Sequence, residues 1–354
     1  MSFSHSNPQK ILVVKTHALG DILLLTPALR ALKKFYPAAK IDFLTGHWSV
    51  EAIKSNPYID SVFSIPDKVF HRPKPLALIS LARRLRCNAY DLGVIFQPSQ
   101  LMHWFVKFAG VRRIAAPVSN GFRYPVHNAS SWRLDRNRYI VEDFLDVIRV
   151  LGIPSDGVAL DFVIPVEAEQ AMAGVLSDRN LRTGEYLVIS PGGGRNPRDW
   201  VAQKIWPVDS YFQLVERLQS DGIKVVLAGA ESDREQIKTL LDIPGVIDLV
   251  GSTSFAELAE LLKKARMLVT NDSAPMHLAL SVGCPFVALF GPSRWRALLP
   301  EIGRFVVIHA DIPCSPCYDN EPFGKCDRFD CIRSIEVGTV YESVMSNWKQ
   351  WADR

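Results

Sequence analysis

The stretch Thr270–Ser293, TNDSAPMHLALSVGCPFVALFGPS, decides how this chain is read. Met267, Leu268 and Val269 just before it read as the end of a buried strand. Asn271, Asp272 and Ser273 form a polar turn of residues that favour helix N-caps. Pro275 suits the first turn of the helix that follows, where its missing N–H costs nothing. That helix runs through His277, Leu278, Ala279 and Leu280 to a stop at Gly283. Phe286 to Phe290 read as a second buried strand, closed by the turn Gly291-Pro292-Ser293. A helix that opens at the carboxyl end of a strand offers free N–H groups and a positive dipole end, which suit a pyrophosphate.

Working outward, both halves alternate strand and helix. In the first half, strands are expected at Ile11–Val14, Ile41–Leu44, Val62–Ile65 and Leu92–Phe96. Helices are expected at Ile22–Phe35, Leu76–Arg86 and Tyr139–Leu151. After a polar stretch around Glu167–Gly184 the pattern restarts, with strands at Tyr186–Ser190, Lys224–Ala228 and Ile247–Leu249. Helices follow at Val208–Gln219, Ser232–Leu241 and Phe255–Ala265. A last helix, Val337–Trp351, carries Val340, Val344 and Trp348 at four-residue spacing. Such alternation favours parallel sheets wrapped by helices. The expected fold is α/β, two doubly wound Rossmann-like domains facing a central cleft. Their spans are 1–175 and 176–335, with a terminal helix at 336–354.

At 354 residues, 48% hydrophobic and 22% charged, the chain has the composition of a folded two-domain protein. A net charge of +4 fits an anionic substrate or membrane surface and is too small to argue for nucleic acid. The polar first residues, and the interruption of the apolar run from Ile11 by Lys15, His17 and Asp21, read as no secretory leader. No stretch approaches the roughly 20 apolar residues that span a bilayer. The expected location is cytoplasmic, with peripheral contact at the inner membrane.

Several residues stand where open α/β sheets place their working groups, past the carboxyl ends of strands. Asp21, in His17-Ala18-Leu19-Gly20-Asp21, reads on spacing alone as a helix cap, with Gly20 allowing close approach of backbone or substrate. Lys204 follows the turn Pro191-Gly192-Gly193-Gly194, whose exposed N–H groups suit a phosphate. Read alone, Lys204 is a solvated lysine beside a helix start, and Arg198 is placed to share or replace any phosphate role. Asp272 reads as an ordinary cap and His277 as a satisfied helix residue. Glu231, past the strand Lys224–Ala228, is a candidate partner for ribose hydroxyls, with Ser232 and Asp233 competing.

Three segments in order, HALGDILLLTPALRALK (17–33), PGGGRNPRDWVAQKIWP (191–207) and the stretch from Asp272 to Ser293, resemble the ADP-heptose–lipopolysaccharide heptosyltransferases, glycosyltransferase family 9. The resemblance implies the GT-B architecture, with acceptor held mainly by the first half and nucleotide sugar by the second. It also implies that the terminal helix packs back on the first domain. It makes Asp21 the general base, in an acceptor-side loop with His17 and Gly20. Lys204 becomes the diphosphate contact, beside Gly192 and Gly193. Ser273, Ala274, Pro275, Met276 and His277 would bind the donor, and Asp272 would orient sugar hydroxyls or brace the loop. The implied reaction is inverting, metal-independent transfer of a sugar, ADP-heptose being the implied donor, to lipopolysaccharide core or a related glycolipid.

Cys314, Cys317, Cys326 and Cys331 form C-x2-C-x8-C-x4-C within a proline-rich loop. Reduced free thiols are the leading reading, with a structural zinc as the alternative. Cys87 and Cys284 read as buried thiols. Basic residues crowd the first half; most read as solvated faces, though some could meet a phosphorylated acceptor, and Trp104, Phe105, Phe108, Phe122 and Tyr124 could supply apolar contact there, core packing being the default for each one singly. An oxidoreductase is disfavoured, because Gly192-Gly193-Gly194 lacks the third glycine of G-x-G-x-x-G. The remaining alternatives are a non-catalytic nucleotide- or glycan-binding protein of the same fold, or a relative using another nucleotide sugar.

Overall fold

The computed structural model describes residues 7–67, 69, 75–118, 127–131, 137–193, 200–317 and 326–351. The chain divides into two compact units, Met1–Val163 and Ile164–Arg354.

The first unit contains β1 (Lys10–Val14), α1 (Leu19–Leu24), α2 (Thr26–Phe35), β2 (Lys40–Gly46), β3 (Ser61–Ile65), α3 (Pro75–Arg86), β4 (Leu92–Ile95), α4 (Gln100–Phe108), β5 (Arg113–Val118), β6 (Asn128–Ser131) and α5 (Ile140–Arg149). Its strands are all parallel, in the order β3-β2-β1-β4-β5-β6. Ile11 to Val14 are fully buried, as a strand covered on both faces must be. The single helix expected over Ile22–Phe35 is two. It breaks at Leu25, where the Thr26 hydroxyl bonds the Leu23 carbonyl (2.7 Å) and Pro27 opens the second helix.

The second unit contains α6 (Val166–Asp178), β7 (Tyr186–Ser190), α7 (Val208–Ser220), β8 (Lys224–Leu227), α8 (Lys238–Leu241), β9 (Ile247–Asp248), α9 (Phe255–Lys264), β10 (Met267–Asn271), α10 (Ala274–Val282), β11 (Phe286–Phe290), α11 (Trp295–Leu298), β12 (Phe305–His309), α12 (Asp330–Arg333) and α13 (Val337–Gln350). Its order, β12-β11-β10-β7-β8-β9, repeats the first unit's: in each, the first and fourth strands lie side by side at the centre. Chain direction across the sheet reverses between that pair, leaving a crevice at their carboxyl ends where open α/β sheets take ligands.

Two boundaries differ from the sequence reading. The polar stretch at 167–184 contains α6, which packs on α9 and belongs to the second unit, so the division falls at 163/164. That helix buries only Ala168, Met172 and Leu176, a narrow stripe among Glu, Gln and Gly. The terminal helix α13, expected to return to the first domain, packs on α7 and β11. Val340 and Val344 are fully buried in the second unit's core, the Arg266 guanidinium lies 4.4 Å from the Trp348 ring centroid, and the Tyr341 hydroxyl donates to Asp221 (2.6 Å). The helix expected over Ser232–Leu241 is a 3-10 turn, Glu231–Asp233, and the four-residue α8.

One buried side chain fixes the loops at the second crevice. Asn271 ends β10 with no exposure. Its amide nitrogen donates to the carbonyls of Pro191 (2.8 Å) and Gly192 (3.1 Å), while its oxygen accepts from the Trp206 backbone N–H (3.1 Å) and the Tyr211 hydroxyl (3.0 Å). All four bonding positions of the carboxamide are used. Trp206 is itself buried, edge-on to Tyr211, with its indole N–H on the Ile335 carbonyl. Asn271→Ala should cost about 3 kcal/mol in a urea melt, because several buried groups lose partners worth roughly 1–3 kcal/mol each. The isosteric Asn271→Asp should also destabilise, since a carboxylate has no donor for the two carbonyls. Unfolding midpoints equal to wild type for both variants would contradict this.

Candidate functional site

The second unit's site lies at the β7–β10 crevice. Lys204 reaches the Asp272 carboxylate with Nζ 2.6 Å from Oδ2. The lysine side chain is 20% exposed and the aspartate 5%, so the cation faces outward from a buried anion. Burial alone would raise the Asp272 pKa. Lys204, and then the charge of His277, outweigh it and hold the carboxyl below its ordinary value. Asp272 is therefore the ionised brace for Lys204. Of the two roles weighed for it, its burial fits bracing better than reaching sugar hydroxyls.

Gly193 sits at φ +114°, and a Cβ there would fall 2.8 Å from the Ser273 Cβ; only glycine brings this loop against the start of α10. Gly192 packs on the Asp233 side chain, which fills the place of any Cβ. Ser273 is the N-cap of α10, but its hydroxyl turns to Thr270 Oγ1 and the Asn271 carbonyl (3.3 Å each) and does not cap the helix. The positive end of a nine-residue helix thus stands beside the glycine turn and Lys204. Ala274 and Pro275 are partly exposed in its first turn. The Met276 side chain is fully buried in the core, leaving only its backbone for a ligand, and His277 is buried near Asp272. Glu231 lies past β8 with its side chain 71% exposed, paired to Arg234 (3.2 Å). Its competitor Asp233 is buried and accepts from the Ala230 N–H. Gly194 and Arg198 lie outside the described residues.

In the first unit the loop after β1 carries Lys15, Thr16 and His17 to α1. The N-cap of α1 is Ala18, so Asp21 is third in the helix and not its cap. The Asp21 carboxylate instead meets Lys15, with Nζ 2.7 Å from Oδ2. Here the exposures are reversed: the lysine is 6% exposed and the aspartate 34%. Phe144 of α5 covers the ammonium, its ring centroid 5.8 Å away. Thr16 ties the loop to the end of β4, its N–H and hydroxyl both bonding Gln97 Oε1 (3.0 Å each), and its hydroxyl meets His17 Nδ1 (2.9 Å). Lys15 and Gln97 were not singled out from the sequence. The visible signal for Lys15 was a charge directly after four apolar strand residues, a place where only a paired cation is buried.

The cysteine loop gathers loosely. Cys331 is buried, and its thiol is pushed up to about 11 by burial and then by Cys317, Cys314 and Cys326. None of the six cysteines is in a disulfide; Cys284 is buried as expected, whereas Cys87 is exposed. Among the described residues no three His, Cys, Asp or Glu side chains are placed to hold a metal ion.

Comparison with known proteins agrees with this geometry. Residues 78–326 match the model of glycosyltransferase family 9 (heptosyltransferase). A lipopolysaccharide heptosyltransferase 3 of Escherichia coli is 29% identical over 294 residues, covering 78% of this chain and 83% of that protein. The crystal structure of a family 9 glycosyl transferase from Veillonella parvula superposes with a TM-score of 0.80 at 22% identity, over 97% of this chain and 98% of that one. The E. coli heptosyltransferase WaaC with ADP-2-deoxy-2-fluoro heptose gives a TM-score of 0.72 at 19% identity, over 96% and 99%. The two Rossmann-like sheets are those of the GT-B fold.

The thiols should separate by reactivity. At pH 8, where only the thiolate attacks, exposed Cys87, Cys314 and Cys326 should be alkylated first, and Cys331 only after unfolding. Mass-spectrometric mapping checks this, and early labelling of Cys331 would contradict it.

Proposed function

Since the chain belongs to glycosyltransferase family 9, the heptosyltransferases, we propose that it transfers a heptose from ADP-heptose, with inversion, to the core of a lipopolysaccharide or a related glycolipid. The similarity to proteins that carry this activity or hold an ADP-heptose analogue supports the choice of donor and acceptor. The observation that carries the reading is the pair of opposed lysine–aspartate contacts. In one crevice a partly exposed carboxylate is backed by a buried lysine, and in the other a partly exposed ammonium is backed by a buried carboxylate. A base and a leaving-group cation are the two groups this chemistry needs.

In this mechanism Asp21 accepts the proton of the acceptor hydroxyl as its oxygen bonds to the sugar's anomeric carbon. The bond from that carbon to the diphosphate breaks on the opposite face, and the electron pair leaves with ADP. Lys204 and the open start of α10, with Ser273, Ala274, Pro275 and the backbone of Met276 and His277, take up the growing negative charge. Gly192 and Gly193 let the turn after β7 close against Asp233 and the start of α10, which puts its backbone beside the diphosphate. Glu231 is the partner for the ribose hydroxyls. Lys15 orients the Asp21 carboxylate, and His17 and Gly20 line the acceptor side. Transfer needs no metal in this scheme, since Lys204 and the helix end supply the positive charge. The acceptor is lipid-anchored, so the protein works at the cytoplasmic face of the inner membrane.

Asp21→Asn should lower the rate of ADP-heptose consumption with heptose-deficient lipopolysaccharide by about 10²–10⁴-fold, the usual contribution of a general base. ADP affinity should stay near wild type. Turnover within a few-fold of wild type would remove Asp21 from the mechanism.

A further inference from the structure

Helices α3 and α4 lie side by side on one face of the first sheet, and their inner residues share one core: Leu81, Ala82 and Leu85 of α3 with Met102, Phe105 and Val106 of α4. A helix buried on one side of a soluble protein carries polar residues on the other. These two do not. Leu76 and Ile79 of α3 are 83% and 47% exposed, and Leu101, Trp104 and Phe108 of α4 are 39%, 44% and 71% exposed. The last three are spaced by three and four residues, forming one stripe, and the Trp104 and Phe108 ring centroids are 6.1 Å apart. Phe105, weighed from the sequence as part of such a surface, faces the core, and Phe122 and Tyr124 lie outside the described residues.

Charge decides what covers this face. Neither helix contains an acidic residue, while Arg83, Arg84, Arg86 and Lys107 are exposed on them. The described span 75–118, which holds both helices, has six Lys and Arg against one Asp, a net +5 in a chain whose formal charge is +4, so the remainder is −1. A second copy of the same face would bring cation against cation. An anionic bilayer satisfies both components, phosphates taking the arginines and the acyl boundary taking the aromatic and aliphatic side chains. Because the strands are parallel and each helix returns against them, the helix starts carrying Leu76 and Leu101 lie at the carboxyl edge of the sheet, the edge that bears Asp21.

We propose that the outer face of α3 and α4 docks the protein on an anionic lipid bilayer. This deepens the membrane-acceptor reading above, yet its test needs neither donor nor acceptor, so its failure would leave the transferase reading standing. The full chain is sedimented with vesicles of phosphatidylcholine alone or with about one quarter phosphatidylglycerol, at about 0.1 M and 0.5 M salt. Wild type should prefer the anionic vesicles and release at high salt. Trp104→Ser with Phe108→Ser, and separately Arg83→Glu, should each weaken binding at least about tenfold, a basic residue near such a surface being worth roughly fivefold and its charge reversal more. Ile302→Ser, at an exposed apolar residue of the second unit, should bind as wild type, and circular dichroism should show all variants folded. No binding by wild type, no preference for anionic lipid, equal binding by the α3–α4 variants, or a dimer held through this face would each overturn the proposal.

Discussion

The placement of the second crevice depends on the carboxamide of Asn271. A parallel sheet specifies where its strands end but not how the loops beyond them lie, because those loops have no ladder to join. Asn271 supplies the missing bonds, holding the turn after β7 with its donors and the segment before α7 with its acceptor. In doing so it fixes both neighbours of the Lys204–Asp272 pair. A buried ion pair is expensive unless its geometry is held and its remaining valences are met. Here the Asn271 bonds hold the geometry, and the Lys204 ammonium holds the buried carboxyl below its ordinary pKa.

The two units repeat one strand order and put a lysine–aspartate pair at each central crevice, but they invert which partner is buried. Burial of one member leaves the other as the group available to a ligand, with its charge supported from behind. An exposed, braced carboxylate suits proton removal, and an exposed, braced ammonium suits a diphosphate. On the proposed mechanism, a common scaffold would serve opposite chemistry through a single choice of which charge faces out, in keeping with function residing in sites grafted on folds.

Much of the fold was legible because buried parallel strands are short, continuous apolar runs. β1, β7, β10 and β11 all read directly, as did the stop of α10 at Gly283, whose φ is +73°. The elements that escaped did so for physical reasons. β5, Arg-Ile-Ala-Ala-Pro-Val, is weak in β-formers and contains a proline. The helix α4 is apolar on both sides, so it shows no clean stripe. The site residues on helix starts and glycine turns were readable from type and position. Lys15, Gln97 and the four-way bonding of Asn271 were not: the lysine's burial depends on its pairing with Asp21 and on Phe144, and the other two depend on residues between 60 and 81 positions away. The terminal helix was correctly delimited near 337–350, and its docking partner was not, because three apolar anchors say that a helix packs and not against what.

The central claim is that the second unit holds a nucleoside diphosphate through an ammonium braced by Asp272, with no metal ion. The most direct measurement is calorimetric titration of the protein with ADP, UDP and GDP, with and without Mg²⁺, repeated on Lys204→Ala. The account predicts selective binding of ADP, unchanged by Mg²⁺ and at least about tenfold weaker in the variant, as expected for loss of a charge-assisted contact worth roughly 1.5–3 kcal/mol. Binding that requires Mg²⁺, or ADP affinity indifferent to Lys204, would contradict it.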